Sequence, residues 1–265
     1  MRIGLAQLDM GFENKALAKK LCEEMICSAA NQQVDLLIFP EMTLTGFTMK
    51  TNELAEHFED SETIDFFKKN AQLHKLAICF GLPIVKFDKA ENHCIIISAE
   101  GKILVDYTKI HPFSFGTEAD YYTGGDTLTS CTINGVVTTP FICYDLRFPE
   151  IFQASSEKSL LLIVIANWPR PRREHWITLL KARAIENQAF VVGVNRAGTG
   201  GGLDYAGDSM AVSPLGDVLA HSDEGHSLTV VNISPEDAQK YRNNFPLKAD
   251  RKPQLYSKFL ENFKN

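Results

Sequence analysis

The stretch TTPFICYDLRFPE, Thr138–Glu150, marks an abrupt change of character along the chain. Its first half is apolar and β-branched, which is typical of a buried strand, and we predict a strand over Val136–Cys143. Aromatic and charged residues follow Cys143 at once. Functional groups in α/β sheets gather where strands end and loops begin. Because five other cysteines share the chain, Cys143 is either one more buried thiol or the nucleophile of an enzyme.

The rest of the chain alternates between strand and helix patterns, interrupted by several strand–strand pairs. This order favours an α/β fold in which a helix layer covers one face of each of two stacked sheets. We see no linker or internal repeat, so we expect one domain over residues 1–265. The other predicted strands are Ile3–Gln7, Val34–Phe39, Leu76–Leu82, Cys94–Ser98, Ile103–Tyr107, Leu160–Ala166, Phe190–Asn195, Asp208–Val212, Val218–Ala220 and Leu228–Ile233. The predicted helices are Asn14–Ala30, Ser61–Asn70, Arg173–Gln188 and Pro235–Asn243.

Composition narrows the class of protein. The net charge is −6, from 27 basic and 33 acidic residues without a basic stripe, so we expect no nucleic-acid partner. No apolar run approaches the roughly 20 residues that a membrane span needs, and the N-terminal MRIGLAQLDM is typical of a first strand rather than a signal peptide. The six cysteines form no CxxC motif. We therefore expect a cytoplasmic protein with free thiols and no bound metal.

Polar residues stand at the ends of other predicted strands as well. Glu41 follows VDLLIFP, Lys109 follows ILVDYT, and Asn167 and Trp168 follow LLLIVIA. Taken singly, such a Glu caps a turn, such a Lys is a surface charge, and a free Cys is a small buried apolar residue. Taken together, a thiolate can attack a carbonyl carbon, a cation can stabilise the oxyanion, and a carboxylate can carry the proton. This set needs no histidine.

The segments that carry these residues resemble the nitrilase, or carbon–nitrogen hydrolase, superfamily from one end of the chain to the other. They are FPEMTLTGF, DYTKIHP, FICYDLRFPE, ANWPRPRREHW, KARAIENQAFVVGVNRAG and YAGDSMAVSPLGDVLA. The resemblance implies a four-layer αββα sandwich of the nitrilase type. Within the superfamily, CYDLRFPE followed by NWP, HW and RAIENQ is most similar to bacterial ω-amidases. These hydrolyse the terminal amide of α-ketoglutaramate or α-ketosuccinamate and need no cofactor.

The resemblance also implies a catalytic set. Glu41 would act as general base and then as general acid, and Cys143 would form a thioester with the substrate. Lys109 would hold the oxyanion together with the backbone N–H of Tyr144. Glu118, in FGTEADYYTGG, would be the second glutamate that orients the site in many family members.

Substrate-binding residues are less sharply defined by the sequence. Arg147 either binds a substrate carboxylate through its bidentate fork or forms a structural ion pair with Asp145 or Glu150. Three further arginines in the NWPRPRR loop are weaker candidates, and His175 is expected only to brace this loop. Aromatic side chains would wall a small pocket, except for Phe47, which we assign to the core. The loop arginines are Arg170, Arg172 and Arg173, and the wall residues are Phe113, Tyr144 and Trp168.

Other readings remain open at this point. The nearest are a deaminated-glutathione amidase, an N-carbamoyl hydrolase and an aliphatic amidase of the same superfamily. A Cys–His hydrolase and a non-enzymatic binding module are more distant. GTGGG at Gly198–Gly202 is either a phosphate-binding loop or a hairpin near the pocket mouth, and the missing Gly-loop–helix context favours the hairpin. The superfamily resemblance further implies a homodimer that uses Glu150–Ser155 and the helix Arg173–Gln188.

Overall fold

The fold is known from a computed structural model that describes residues 1–262. The strands are β1 (Arg2–Gln7), β2 (Leu36–Ile38), β3 (Ala77–Lys86), β4 (Lys89–Ile97), β5 (Ile103–Thr108), β6 (Tyr122–Thr123), β7 (Cys131–Ile133), β8 (Val136–Ile142), β9 (Leu161–Ala166), β10 (Phe190–Asn195), β11 (Ala197–Gly200), β12 (Leu203–Ala206), β13 (Met210–Val212), β14 (Val218–His221) and β15 (Ser227–Asn232). The α-helices are α1 (Lys15–Asn31), α2 (Thr51–Leu54), α3 (Glu62–His74), α4 (Glu118–Tyr121), α5 (Pro149–Ser155), α6 (Arg173–Asn187), α7 (Pro235–Asn244) and α8 (Pro253–Asn262).

Two sheets form the centre of the molecule. The first has the order β15-β1-β2-β3-β4-β5, with β6 paired to β4, and the second has the order β14-β13-β10-β9-β8-β7. In the first sheet β2 runs parallel to β1 and β3. In the second, β9 runs parallel to β8 and β10. Parallel strands end at the same edge of a sheet, so these central strands deliver several loops to one place.

Helices cover the outer face of each sheet. The helix α3 begins at Ser61, whose hydroxyl accepts the N–H of Ile64, and it ends at Lys75 in the left-handed conformation. Its Phe67 is fully buried and stacks on Phe80 of β3, with 4.1 Å between the ring centroids. Truncating such a ring to alanine costs about 3–5 kcal/mol. The burial of this face explains why the apolar spacing of the segment yields a packed helix.

The second sheet is covered in the same way by α5 and α6. Phe141 of β8 stacks on Phe152 of α5 at 3.9 Å between centroids. The inner faces of the two sheets meet, because a Cβ on Gly81 of β3 would lie 3.0 Å from the Cδ1 of Ile165 in β9. The layers therefore run helix, sheet, sheet, helix, and the predicted αββα sandwich is confirmed.

Several predicted boundaries are wrong. The strand Cys94–Ser98 is longer and spans Lys89–Ile97, because its polar start pairs with β3 across the whole hairpin. The strand Val136–Cys143 ends at Ile142, because Cys143 already adopts a left-handed conformation. The strands β11 and β12 and the helices α5 and α8 are absent from the sequence-based assignment. β11, β12 and α5 are short, whereas α8 carries apolar residues at helical spacing (Leu255, Tyr256, Phe259 and Leu260) and was missed.

Two further observations concern membrane-spanning helices and the cysteines. No helix within residues 1–262 is both long enough and apolar enough to cross a membrane. All six cysteines are free thiols, including Cys79 and Cys94, whose sulfur atoms lie 3.5 Å apart.

Candidate active site

The ends of the parallel strands open into one small pocket with a volume of about 60 Å³. Cys143 directly follows β8, and Asn167 directly follows β9. Glu41 follows β2 in the other sheet and meets them there, since the backbone N–H of Asn167 donates to its Oε2 at 2.8 Å. The structure thus brings together the strand ends that the sequence singled out.

The backbone is strained beside the carboxylate and at the thiol. Cys143 has φ +46°, and Met42, which follows Glu41, also has φ +46°. A left-handed conformation costs a residue with a side chain about 1–3 kcal/mol. At Cys143 the turn is held by Asp145, whose carboxylate accepts the backbone N–H of Ile142 at 3.2 Å. This turn places Cys143 and Tyr144 at the pocket.

Asp145 therefore has a structural role in this turn. The same carboxylate accepts the hydroxyl of Tyr107 at 2.8 Å and the backbone N–H of His111 at 3.1 Å. It is fully buried. Because Asp145 already accepts these hydrogen bonds, it does not need an arginine partner. The ion pair between Arg147 and Asp145, one of the two considered for Arg147, is therefore not formed.

A buried ammonium lies between two buried carboxylates. The Nζ of Lys109 is 2.9 and 2.8 Å from the two oxygens of Glu118, and 3.2 Å from the Oε1 of Glu41. Burial alone would lower the pKa of Lys109, but the negative charges of Glu118 and Glu41 outweigh it and raise this pKa. Lys109 is therefore a permanent cation at the base of the pocket.

Two asparagines orient Glu41. The Nδ2 of Asn92 donates to its Oε1 at 2.7 Å, and the Nδ2 of Asn167 donates to its backbone carbonyl at 2.7 Å. Asn92 was missed in the sequence, because it lies in the polar start of β4, outside the predicted strand Cys94–Ser98. Gly81 lies directly beneath this loop, since a Cβ there would be 2.6 Å from the N of Met42. The loop that carries Glu41 is thus fixed from the sides and from below.

The thiol of Cys143 is protonated at rest. Burial and the charge of Glu41 raise its pKa well above the ordinary range, against the opposing effect of Lys109. The residue is only partly buried and lines the pocket. A nucleophile in this state needs a base that takes its proton during the attack.

The structure separates the arginine candidates. Arg170 pairs with Glu224 at 2.7 Å, and Arg173 pairs with Asp208 at 2.6 Å. Only Arg172, of the three in the loop, lines the pocket. The predictions for Arg170 and Arg173 as pocket residues are therefore wrong, because distant acidic residues pair with them.

Arg147 lines the same pocket. Within residues 1–262 Arg147 makes no ion pair, so the alternative of a structural ion pair with Asp145 or Glu150 is wrong. Its Nη2 lies 3.1 Å from the Nδ1 of His175. Its guanidinium carbon is 4.8 Å from the ring centroid of Trp168.

Aromatic rings form the pocket wall. Phe113 and Tyr144 meet edge to face at 5.0 Å between centroids, and Trp168 completes the predicted group. The assignment of Phe47 to the core is wrong, since it lines the pocket and lies 5.7 Å from the Nζ of Lys109. Its ring faces the ammonium, which an aromatic face attracts.

The hairpin β11–β12 supplies the last part of the wall. Leu203 and Tyr205 line the pocket, and neither was identified in the sequence. The glycine-rich stretch Gly198–Gly202 forms the end of β11 and the turn of this hairpin, and strand β12 rather than a helix follows it, as predicted. Strand β12 was not recognised, because it holds only four residues.

A larger cavity of about 560 Å³ lies elsewhere on the surface. Its ionisable groups bind one another: the Nδ1 of His93 is 2.5 Å from Asp106, and its Nε2 is 3.2 Å from Glu91. No cysteine lines this cavity. The smaller pocket is therefore the candidate active site.

Comparison with known proteins agrees with this geometry. The family model "Carbon-nitrogen hydrolase" matches residues 2–243. The omega-amidase YafV of Yersinia enterocolitica is 36% identical over 81% of this chain and 83% of its own length. The 2-oxoglutaramate amidase of Bacillus subtilis (strain 168) is 32% identical over 96% of this chain and 98% of its own.

The solved structure of XC1258 from Xanthomonas campestris is a CN-hydrolase superfamily protein with an arsenic adduct in the active site. It superposes with a TM-score of 0.90 at 31% identity and covers 95% of this chain and 97% of its own. The predicted superfamily is confirmed. The chain therefore belongs to the carbon–nitrogen hydrolase family.

Proposed function

We propose that the protein is an ω-amidase, which hydrolyses the terminal amide of α-ketoglutaramate or α-ketosuccinamate through a thioester on Cys143. The observation that carries the proposal is one pocket lined by Cys143, Lys109 and Arg147. Behind its wall the carboxylates of Glu41 and Glu118 bind the Lys109 ammonium, and Arg147 belongs to no ion pair within residues 1–262. The relatives named omega-amidase and 2-oxoglutaramate amidase support this choice of substrate.

The first half of the reaction forms the thioester. The sulfur of Cys143 attacks the amide carbon while its proton passes to Glu41. The oxyanion lies against the Nζ of Lys109 and the backbone N–H of Tyr144. Glu41 then protonates the amide nitrogen, the carbon–nitrogen bond breaks, and ammonia leaves. Each oxyanion donor of this kind contributes roughly 10²–10³ in rate.

The second half releases the acid. A water molecule takes the place of ammonia and attacks the thioester carbon, and Glu41 accepts its proton. The tetrahedral intermediate collapses and breaks the carbon–sulfur bond, and the proton returns to the sulfur of Cys143. One carboxylate thus serves both steps, and its two asparagine partners keep it in place throughout.

The remaining pocket residues take supporting roles in this proposal. Glu118 holds Lys109 in position through both carboxylate oxygens. Arg147 binds the carboxylate at the far end of the substrate. The rings of Phe113, Tyr144 and Trp168 enclose the short carbon chain between the two ends.

The test is a substrate panel with ammonia release as the measurement. The panel holds α-ketoglutaramate, α-ketosuccinamate, deaminated glutathione, an N-carbamoyl amino acid and a simple aliphatic amide. We expect the two keto amides to have the highest kcat/KM. If one of the other compounds is clearly better, the protein is the corresponding amidase of the superfamily and the proposed substrate is wrong.

Trapping the intermediate tests the mechanism separately. When the wild type is quenched with acid during turnover of α-ketoglutaramate, mass spectrometry of the peptide that contains Cys143 should show an acyl adduct. A Cys143→Ala variant is the control and should show neither adduct nor turnover. An adduct on any other cysteine would contradict the assignment of the nucleophile.

The proposal also covers the domain organisation, the oligomeric state and the cellular location of the protein. We infer one catalytic domain, supported by a continuous apolar core that holds residues of both sheets. We also infer a cytoplasmic homodimer built on α5 and α6, supported by the free thiols and by Ile185 of α6, which is 49% exposed. Light scattering should give twice the monomer mass, and a monomer at working concentration would contradict the dimer.

A further inference from the structure

Arg172 carries the second guanidinium of the pocket that has no ion-pair partner within residues 1–262. Its guanidinium carbon lies 5.3 Å from the ring centroid of Phe113, and its backbone carbonyl accepts the indole N–H of Trp168 at 2.8 Å. The residue is therefore held at both ends by aromatic partners. Its neighbours in the loop, Arg170 and Arg173, are neutralised by carboxylates.

Arg147 and Arg172 act on each other. Burial is the main cause that lowers the pKa of Arg147, and the positive charge of Arg172 adds to it. Among residues 1–262, neither arginine belongs to an ion pair. Two cations held together at a pocket wall repel one another, and an anionic ligand between them removes this repulsion.

The carboxylates at the base of the pocket are already engaged. Glu118 is bound to Lys109 and to the backbone N–H of Phe113, at 2.6 Å. Glu41 is bound to Lys109, Asn92 and Asn167. A ligand with an ammonium group would therefore find no free carboxylate here, and it would face the two guanidinium groups.

We propose that Arg172 is a specificity-determining residue, which with Arg147 forms a two-arginine site for the α-carboxylate and excludes substrates with an α-amino group. The inference rests on the proposed function and deepens it. An α-keto oxygen accepts hydrogen bonds from a guanidinium, whereas the α-ammonium of glutamine or asparagine is repelled. The pocket thus selects ω-amides whose α-carbon carries an oxygen or only hydrogen.

The experiment compares the wild type with Arg172→Gln, Arg172→Lys and the matched control Arg170→Gln from the same loop. The substrates are α-ketoglutaramate, glutaramate, glutamine and butyramide, which lacks the carboxylate. For Arg172→Gln we expect the KM for α-ketoglutaramate to rise at least about tenfold with little change in kcat, because a charge-assisted bond made in the ground state is lost. Activity on butyramide should not change, and Arg170→Gln should behave as the wild type.

Selectivity is the deciding measurement. The ratio of kcat/KM for α-ketoglutaramate to that for glutamine should fall at least about tenfold in Arg172→Gln. Arg172→Lys should recover part of this ratio, since it keeps the charge without the fork. An unchanged ratio, or an equal loss on butyramide, would overturn the role of Arg172.

If Arg172→Gln is inactive and its kinetics cannot be measured, a binding measurement takes their place. Glutarate should protect Cys143 from iodoacetamide in the wild type and in Arg170→Gln, and about tenfold more glutarate should be needed in Arg172→Gln. Equal protection in all three proteins would overturn the inference. If the wild type hydrolyses butyramide but no amide with a carboxylate, the proposed function itself fails, and the inference fails with it.

Discussion

Glu118 places both of its carboxylate oxygens on the ammonium of Lys109, at 2.9 and 2.8 Å, whereas Glu41 reaches the same nitrogen with one oxygen at 3.2 Å. Glu118 is therefore the main counter-ion of the lysine. Its presence leaves the second oxygen of Glu41 to the backbone N–H of Asn167. We interpret this division as the means by which Glu41 stays available for proton transfer.

Replacing Glu118 by glutamine tests this division. The amide cannot neutralise Lys109, so the ammonium should move onto Glu41 and block it as a base. We expect kcat to fall at least about 100-fold and the free energy of unfolding to fall by about 3 kcal/mol, as for other broken buried ion pairs. Steady-state kinetics and urea unfolding give the two values. The control is Asp120→Asn, an exposed change on the same helix, which should leave both values unaltered.

Gly81→Ala should inactivate the protein through the backbone that carries Glu41. The added Cβ would lie 2.6 Å from the N of Met42 and 3.0 Å from the Cα of Glu41, and neither backbone atom can move independently of the loop. We expect kcat to drop at least about tenfold, since small displacements of a catalytic group are costly. Gly4→Ala in β1 is the control, because its closest contact is the flexible Cδ1 of Leu37 at 2.9 Å. Equal activities in the two variants would show that the contact beneath the loop has no catalytic consequence.

His175→Ala should weaken substrate binding without slowing the chemical step. The Nδ1 of His175 is 3.1 Å from the Nη2 of Arg147, and without it the guanidinium gains freedom that binding must remove. We expect the KM for α-ketoglutaramate to rise about three- to tenfold at unchanged kcat. His226→Ala, at an exposed position, is the control. A lower kcat at unchanged KM would argue against this positioning role.

The lowered pKa of Lys248 predicts that the free energy of unfolding depends on pH. Burial, aided by the nearby charge of Arg242, lowers its pKa to about 8. Because this pKa is lower in the folded than in the unfolded state, the unfolded chain binds the proton more tightly, and the lysine destabilises the fold at pH values below about 8. The penalty vanishes as the pH rises toward the unfolded pKa of about 10.4.

Lys248→Met should therefore raise the free energy of unfolding by about 1–2 kcal/mol at pH 7, after allowance for solvent screening. The gain should shrink at pH 9.5. Urea unfolding at the two pH values measures it, with Lys258→Met on the exposed face of α8 as the control. A gain that is equal at both pH values would come from packing rather than from the proton.

The layered fold and three residues of the candidate site, Glu41, Lys109 and Cys143, could be predicted from the sequence, because both predictions depend on recognising strands. The strands before Glu41 and Cys143 are buried apolar runs that end abruptly in polar sequence, and this signal is local. The strand before Lys109, ILVDYT, is only partly buried and carries a weaker signal of the same kind. The αββα order follows from the way such strands alternate with helices. Glu118 was expected only from the family resemblance, because it lies on a helix of four residues that has no periodicity of its own.

What the sequence did not show depends on contacts between distant residues. Whether Arg170, Arg172 or Arg173 faces the pocket is decided by Glu224 and Asp208, which lie more than thirty positions away. Asn92 contacts Glu41 only because β4 pairs with β3, and the side that it faces follows from that pairing. The end of β8 at Ile142 is a local exception, because the carboxylate that accepts its N–H belongs to Asp145, only three positions away.

Asn167 follows β9 in one sheet and holds Glu41, which follows β2 in the other. In the proposed mechanism the proton carrier, Glu41, thus belongs to one half of the sandwich and the nucleophile, Cys143, to the opposite half. On this proposal neither half alone could hydrolyse an amide, however well formed its strands are. Turnover would then begin only when the two sheets have packed together.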